Sequence, residues 1–242
     1  MSDSYEITMK ILRYDPSTKK RWTQQYRLQA GGILRLTDLF RKINMEQDPS
    51  LAWNSSCEHG QCGSCAVKVN GKPLLACELL VANAVKLFGI NQFFIEPISV
   101  GPVVRDLIVD LEPAYGRVES LKPYIMKRKE NLYGTAEYRI APQEMESYLE
   151  ATRCINCFCC ATACMSGPKN FLGPNAIMAS MVRVLDPREA ATEQRLSVLH
   201  GPEGVRHCHT SRACSQVCPK EIDVAHYVAL AKAAQTKKHR ET

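Results

Sequence analysis

Eleven of the chain's twelve cysteines fall into three tight groups, and that arrangement restricts the fold more than anything else in its 242 residues. The first group is Cys57-x4-Cys62-x2-Cys65, with Cys77 a little further on. The second is Cys154-x2-Cys157-x2-Cys160-x3-Cys164. The third is Cys208-x5-Cys214-x3-Cys218, followed at once by Pro219. In a reducing compartment, cysteines clustered in this way ligate metal more often than they pair as disulfides. Each group must be presented on a loop from which several thiolates converge, and each is spaced to hold one iron–sulfur cluster.

The first spacing is the plant-type ferredoxin pattern of a 2Fe–2S cluster, with Cys57, Cys62, Cys65 and Cys77 as its ligands. The second is a bacterial ferredoxin run. The third is the same run with one thiol replaced, since a full copy would carry cysteine at position 211 and the chain has Ser211. In two-cluster bacterial ferredoxins the last cysteine of each run crosses to the other cluster. On that rule Cys154, Cys157 and Cys160 join Cys218 around a 4Fe–4S centre. Cys164, Cys208 and Cys214 supply only three thiolates, and a cubane with an unligated corner tends to lose that iron. The third centre is therefore expected to be 3Fe–4S. The alternative is a Ser211 alkoxide at the open corner. It is disfavoured because a hydroxyl releases its proton far less readily than a thiol, whose unperturbed pKa is about 8.5.

Four cysteines also suit zinc, but zinc ribbons favour two well-separated Cys-x2–4-Cys knuckles, and the crowded first group fits that poorly. Gly60 and Gly63 lie between its ligands and let the backbone approach a cluster, so that amides can bond its sulfurs. Cys159, the cysteine left over, reads as a small packing residue, because using it would break the rhythm of the run. His59 reads as solvent-exposed; His200, His226 and His239 read as surface or packing residues. His207 and His209 flank Cys208. They suit local packing or a bond to cluster sulfide on one reading, and contact with an acceptor molecule or a proton relay on the other.

The fold expected is α+β, in two domains. Residues 1–110 should form a β-grasp, plant-type 2Fe–2S ferredoxin domain, and residues 111–242 an α-helical bacterial-type ferredoxin domain holding the 4Fe–4S and 3Fe–4S centres. Alternation over Tyr5–Tyr14 predicts a strand, Asp15 to Thr18 a turn and Trp22–Leu28 a second strand. Leu36, Leu39, Phe40 and Ile43 recur at helical spacing. Ala66–Val69 and Lys72–Cys77 flank an Asn70-Gly71 hairpin turn, and Lys86–Ile95 reads as another strand. In the second half, helices are expected over Glu144–Thr152, over Asn175–Leu185 after Pro174, and from an Asp223 N-cap to about Ala234. The start has no apolar core of signal-peptide length, and no run of 18 apolar residues occurs, so the chain is expected to be soluble in itself. The net charge of +6 is modest. Its basic clusters at 127–129 and 237–240 read as solvated surface or as contact with an acidic partner or anionic membrane. No aromatic interleaving favours nucleic acid as a partner.

Over essentially the whole chain these residues resemble the iron–sulfur subunit of succinate dehydrogenase and fumarate reductase. The resemblance rests on Cys57-Glu-His-Gly-Gln-Cys62-Gly-Ser-Cys65, Arg153-Cys154-Ile-Asn-Cys157, Phe171-Leu-Gly-Pro174, Asp186-Pro-Arg188 and Cys214-Ser-Gln-Val-Cys218-Pro-Lys220. It implies docking on a flavoprotein subunit with covalent FAD, where succinate and fumarate interconvert. It further implies membrane-anchor subunits, of a kind that can carry haem, and a quinone near the third centre. Such a protein is expected to be peripheral on the cytoplasmic face of a bacterial or archaeal plasma membrane. His209 occupies the family's quinone-side histidine position. Many ubiquinone-linked members have proline directly after the residue matching Cys164 and then a tryptophan pair; here Met165 follows and no tryptophan comes. That departure points to a quinone pocket of different shape, of menaquinone type, with the physiological direction left open. A different dehydrogenase feeding the same wire, or a thiol module, is the second reading, although the further cysteine-rich domain of such thiol proteins is not found after Thr242. A zinc-stapled interaction protein is the third.

Overall fold

The computed structural model describes residues 4–126 and 139–234, which divide into two compact units. One comprises Met1–Leu111 together with Ile155–Ala163, and the other Glu112–Cys154 together with Cys164–Thr242. The segment Ile155–Ala163, which the sequence partition assigns to the second domain, thus groups with the first unit. Both basic clusters, and His239, lie outside the described residues.

In the first unit, β1 (Ser4–Asp15) and β2 (Lys20–Gly31) pair antiparallel. Asp15 organises their turn: its carboxylate accepts from the Ser17 amide at 2.9 Å and from the hydroxyls of Ser17 and Thr18 at 2.7 and 2.8 Å, the local bonding that suits short polar side chains to turns. Helix α1 (Leu36–Glu46) buries Leu36, Leu39, Phe40 and Ile43. Then β3 (Ala66–Val69) and β4 (Lys72–Leu75) form a hairpin. Both of its turn residues have positive φ, 48° at Asn70 and 81° at Gly71, as a type I′ turn requires. The Asn70 amide oxygen accepts from Phe94 N at 2.7 Å, stitching the turn to β5 (Gln92–Pro97). The sheet runs β2-β1-β5-β3-β4, with β1 and β5 parallel, the β-grasp arrangement expected. Ile7, Met9, Ile11, Phe93 and Ile95 are fully buried in its core.

One element differs from expectation. Residues read as the start of a strand from Lys86 end a helix, α2 (Val81–Phe88), and the strand begins only at Gln92. Val81, Ala84, Val85 and Phe88 recur at helical spacing, which outweighs the strand preference of valine and phenylalanine. Gly89, at φ 68°, closes the helix by donating to Val85 O at 2.8 Å, where a left-handed residue is needed.

Arg13, on β1, is buried and acts as the hub of this unit. It donates to Tyr26 Oη at 2.7 Å, Asp48 Oδ2 at 2.5 Å and Ser50 Oγ at 3.0 Å. Its Nε lies 2.9 Å from Asp106 Oδ1, off the axis of a formal hydrogen bond, so the two form an ion pair. Asp106 sits in the turn of a small ladder, β6 (Val103–Arg105) and β7 (Ile108–Val109), and also accepts from the amides of Tyr14 and Ala52. The chain that leads into the first cysteine loop is anchored in this way. Burial opposes ionisation of Asp48, but donors from Ser50, Tyr26 and Arg13 hold its carboxyl well below the usual range. A carboxylate depressed by folding stabilises the fold fully above its unfolded value near 4, and that stabilisation is lost as pH falls through the folded one. Wild-type and Asp48→Asn melting temperatures are expected to differ at pH 6, and the gap to narrow steadily as pH falls below about 4; a gap that widened with acid would contradict this.

The second unit is helical. It begins with α3 (Glu112–Glu119); α4 (Pro142–Leu149) then runs into a 3-10 turn, Glu150–Arg153, that delivers Cys154, where the sequence suggested one continuous helix. The short α5 (Cys159–Thr162) belongs to the segment grouped with the first unit. Pro174 opens α6 (Pro174–Val184) at its first position, where its missing N–H costs nothing. Then follow α7 (Thr192–Leu199), α8 (Ala213–Gln216) and α9 (Val224–Ala233). Asp223 caps α9 by accepting from His226 N at 3.2 Å. Helices α6 and α9 pack together and bury Ile177, Met181, Tyr227, Val228 and Ala231. Arg195, paired at 2.7 Å with Glu189, whose side chain is fully buried, donates to the carbonyls of Leu121, Lys122 and Tyr124. Among the described residues no helix is long and apolar enough to cross a membrane.

Candidate iron–sulfur sites

The first cysteine loop is bent so that amides face sulfur. Gly60 N–H donates to Cys77 Sγ at 3.3 Å, and the amides of Gln61 and Cys62 donate to Cys57 Sγ at 3.2 and 3.3 Å. Left-handed residues make the bends: Glu58 at φ 58°, Gly60 at 71° and Gly63 at 74°. Helix α1 steadies the loop, with Arg35 donating to Glu58 O at 2.6 Å and Arg41 pairing with the Glu58 carboxylate. The Ser64 hydroxyl, 3.1 Å from Cys62 Sγ, and then the Cys57 backbone, draw the Cys62 thiol down to about 6. Cys65 and Cys77 are buried, and burial pushes the Cys65 thiol up to about 12. Amide donors converging on sulfur suit anionic thiolates rather than neutral thiols. This donor set fits a cluster of iron and sulfide, whose sulfurs are bonded by amides in the same way. His59, exposed as expected, lies with Nδ1 2.5 Å from Cys57 O.

The two later runs repeat one backbone conformation. Asn156 and Phe158, two and four residues after Cys154, have φ of 51° and 59°; Thr210 and Arg212, two and four after Cys208, have φ of 59° and 60°. The short helices α5 and α8 begin at matching positions after those cysteines. Three residues past the closing cysteine of each run, Gly167 and Glu221 are again left-handed, and each donates to that cysteine's carbonyl. Sequence reasoning found the repeated cysteines but missed these left-handed residues. The signal was available only by aligning the runs, because Asn, Phe, Thr and Arg share no turn preference. Ser211 stands in the repeat where Cys157 stands in the second run. Cys159 is fully buried, and hydrogen bonding with it holds the neighbouring Cys157 thiol below its ordinary value.

In the second unit, Cys164, Cys208 and Cys214 line one concavity of about 520 Å³, open to solvent. Ser211, Met165 and His209 line it too, with Phe171 and Val228 among its apolar walls. Met165 and His209 are exposed at its edge. Thr210 N donates to Cys208 Sγ at 3.4 Å, and Lys232 Nζ ties Cys208 O and Thr210 Oγ1 at 2.8 Å each. Burial pushes the Cys214 thiol up. Three thiols and a hydroxyl around one apolar-walled space fit a cluster with three thiolate ligands. His207 differs from its neighbour: its Nε2 lies 2.6 Å from Pro202 O, its ring stands beside Phe171, and it is not part of the lining. Among the described residues no three His, Cys, Asp or Glu side chains gather closely enough to hold a single metal ion.

Comparison with known proteins assigns the two halves to different cluster-binding domains. Residues 8–115 match the family described as a 2Fe-2S iron-sulfur cluster binding domain, and residues 150–222 match a 4Fe-4S dicluster domain. The chain is 32% identical over 238 residues to the fumarate reductase iron-sulfur subunit of Haemophilus influenzae, covering 93% of this chain and 91% of that one. It is 32% identical over 222 residues to the protein of the same name from Mycobacterium tuberculosis, covering 90% and 88%. Its fold is similar to a chain of the Mycobacterium smegmatis Sdh1 complex in the apo form, with a TM-score of 0.83 at 24% identity over 96% of this chain and 95% of that one.

Proposed function

Because this chain belongs to the family of succinate dehydrogenase and fumarate reductase iron–sulfur subunits, we propose that it conducts electrons between the FAD of a flavoprotein subunit and a membrane quinone. Its 2Fe–2S ligands are Cys57, Cys62, Cys65 and Cys77. Cys154, Cys157, Cys160 and Cys218 hold the 4Fe–4S centre; Cys164, Cys208 and Cys214 hold the 3Fe–4S centre. Residues 1–110 supply the first cluster-binding domain and 111–242 the second, save that Ile155–Ala163 packs with the first. Bound clusters supply one-electron carriers whose potentials follow cluster type, hydrogen bonding and burial. The carbon chemistry belongs to the flavoprotein subunit. Membrane-anchor subunits hold this chain against the cytoplasmic face of the membrane.

The observation that carries this reading is the cavity in which Cys164, Cys208 and Cys214 face Ser211. A hydroxyl there leaves one corner without a thiolate, and Phe171 and Val228 supply apolar walls beside the sulfurs. In the first loop, the amides of Gly60, Gln61 and Cys62 stabilise negative charge on sulfur, which raises potential. His209, exposed at the cavity edge, donates a hydrogen bond to a quinone carbonyl oxygen on this reading, and Met165 forms the apolar lip of the same cavity. The complex purified with its partner subunits should show EPR signals from an oxidised three-iron and a reduced two-iron centre, and should interconvert succinate and fumarate with a quinone. Zinc in place of iron would overturn the reading. His209→Ala is expected to slow quinone-linked turnover about tenfold, equivalent to one hydrogen bond of about 1.4 kcal/mol. Succinate oxidation by an artificial dye should barely change, and equal loss in both assays would remove His209 from the quinone side.

A further inference from the structure

Gly63 is a residue at which the first ligand loop touches the second ligand run, and we infer that it sets the rate of electron exchange between the 2Fe–2S and 4Fe–4S groups. It lies between Cys62 and Cys65, is buried, and has φ +74°. A Cβ placed on it would stand 2.8 Å from both Cα and Cβ of Cys157, and 3.3 Å from its nitrogen. Carbon atoms at rest approach to about 3.5–4.0 Å, so a side chain at this position must push main chain away. The neighbouring glycine differs. At Gly60 the three atoms nearest a Cβ all belong to the Glu78 side chain, whose carboxylate end can swing aside. Gly71 and Gly89 are left-handed too, but nothing lies within 4 Å of a Cβ built on either.

The inference rests on the ligand assignment proposed above, in which Cys62 and Cys65 serve one cluster and Cys157 the next. With no side chain at position 63, the main chain of one ligand set packs directly on the main chain of the other. Electron tunnelling falls exponentially with the gap between donor and acceptor, so the closest covalent approach governs the rate. One electron leaves one group and enters the other; no bond forms or breaks and no proton moves. The flavin and the quinone of the complex are its source and its sink. Gly63 thus acts through Cys157, as a positioning residue.

The test uses the whole complex carrying Gly63→Ala, with Gly71→Ala as a control that brings left-handed strain without the contact. Iron content and visible absorbance establish that the clusters are present. The readout is the reduced 2Fe–2S EPR signal with the 4Fe–4S group also reduced. In Gly63→Ala, its dipolar broadening should shrink and it should saturate at severalfold lower microwave power, while Gly71→Ala matches wild type. Unchanged broadening and saturation in Gly63→Ala, with both clusters in place, overturns the inference. If that variant loses a cluster, wild type decides: the 2Fe–2S centre must couple more strongly to the 4Fe–4S than to the third centre, and the reverse order overturns it. Absence of iron–sulfur signals from the wild-type complex would instead defeat the functional reading.

Discussion

Ser211→Cys is expected to abolish the oxidised three-iron EPR signal and to place a four-iron centre in its stead, at a lower potential. Ser211 lies between Thr210 and Arg212, whose left-handed backbones match Asn156 and Phe158 on either side of Cys157. A cysteine at position 211 would therefore leave the chain in the direction that Cys157 does. Ser211 already lines the cavity shared by Cys164, Cys208 and Cys214, so its replacement adds the fourth thiolate that a cubane needs. A thiol also ionises far more readily than the hydroxyl it replaces. Iron analysis should rise by one atom per chain, and quinone reduction should slow as the third centre's potential falls. An unchanged oxidised signal in a variant of normal iron content would sink the ligand assignment.

Arg13→Leu should lower the stability of the first unit by about 3–5 kcal/mol, the cost of removing one partner from a buried ion pair. Asp106 is 1% exposed and Arg13 is 3% exposed, so water cannot replace the lost cation. Two amides would still bond Asp106, from Tyr14 and Ala52, but its charge would have no counterpart. Asp48 and Tyr26 would lose the same donor. For a chain of this size the change corresponds to a fall in melting temperature of about 10 °C, read as loss of the 2Fe–2S absorbance on heating. A shift of less than about 2 °C would mean that the network is dispensable. Ala52 precedes the first cysteine loop, so the same substitution should also hasten cluster loss at a constant temperature.

Much of the fold was legible because its signals are local. Alternation gave β1, helical spacing gave α1, Asn70-Gly71 gave the hairpin turn, and Pro174 and Asp223 marked two helix starts. The strand expected from Lys86 was the main error in the first unit. There, valine and phenylalanine suited either element, and Gly89 decided in favour of a helix end. The left-handed residues at 156, 158, 210 and 212 escaped notice because only Asn156 among them is of a type that ordinarily marks such a bend. Arg13 carries no local signal beyond its place on a strand. Its role depends on carboxylates at positions 48 and 106, which the chain's own local pattern does not connect.

The spacing of thiols along the chain by itself points to the kinds of cluster the loops suit and marks position 211 as the place in the repeat without a cysteine, since ligand geometry within a run is set by a few consecutive residues. Only the tertiary structure decided that Ile155–Ala163 packs with the first unit, that Cys157 lies against Gly63, and that His209 rather than His207 lines the cavity. Those outcomes come from the summed packing of segments far apart in sequence, where many weak contacts compete and no single residue carries the answer.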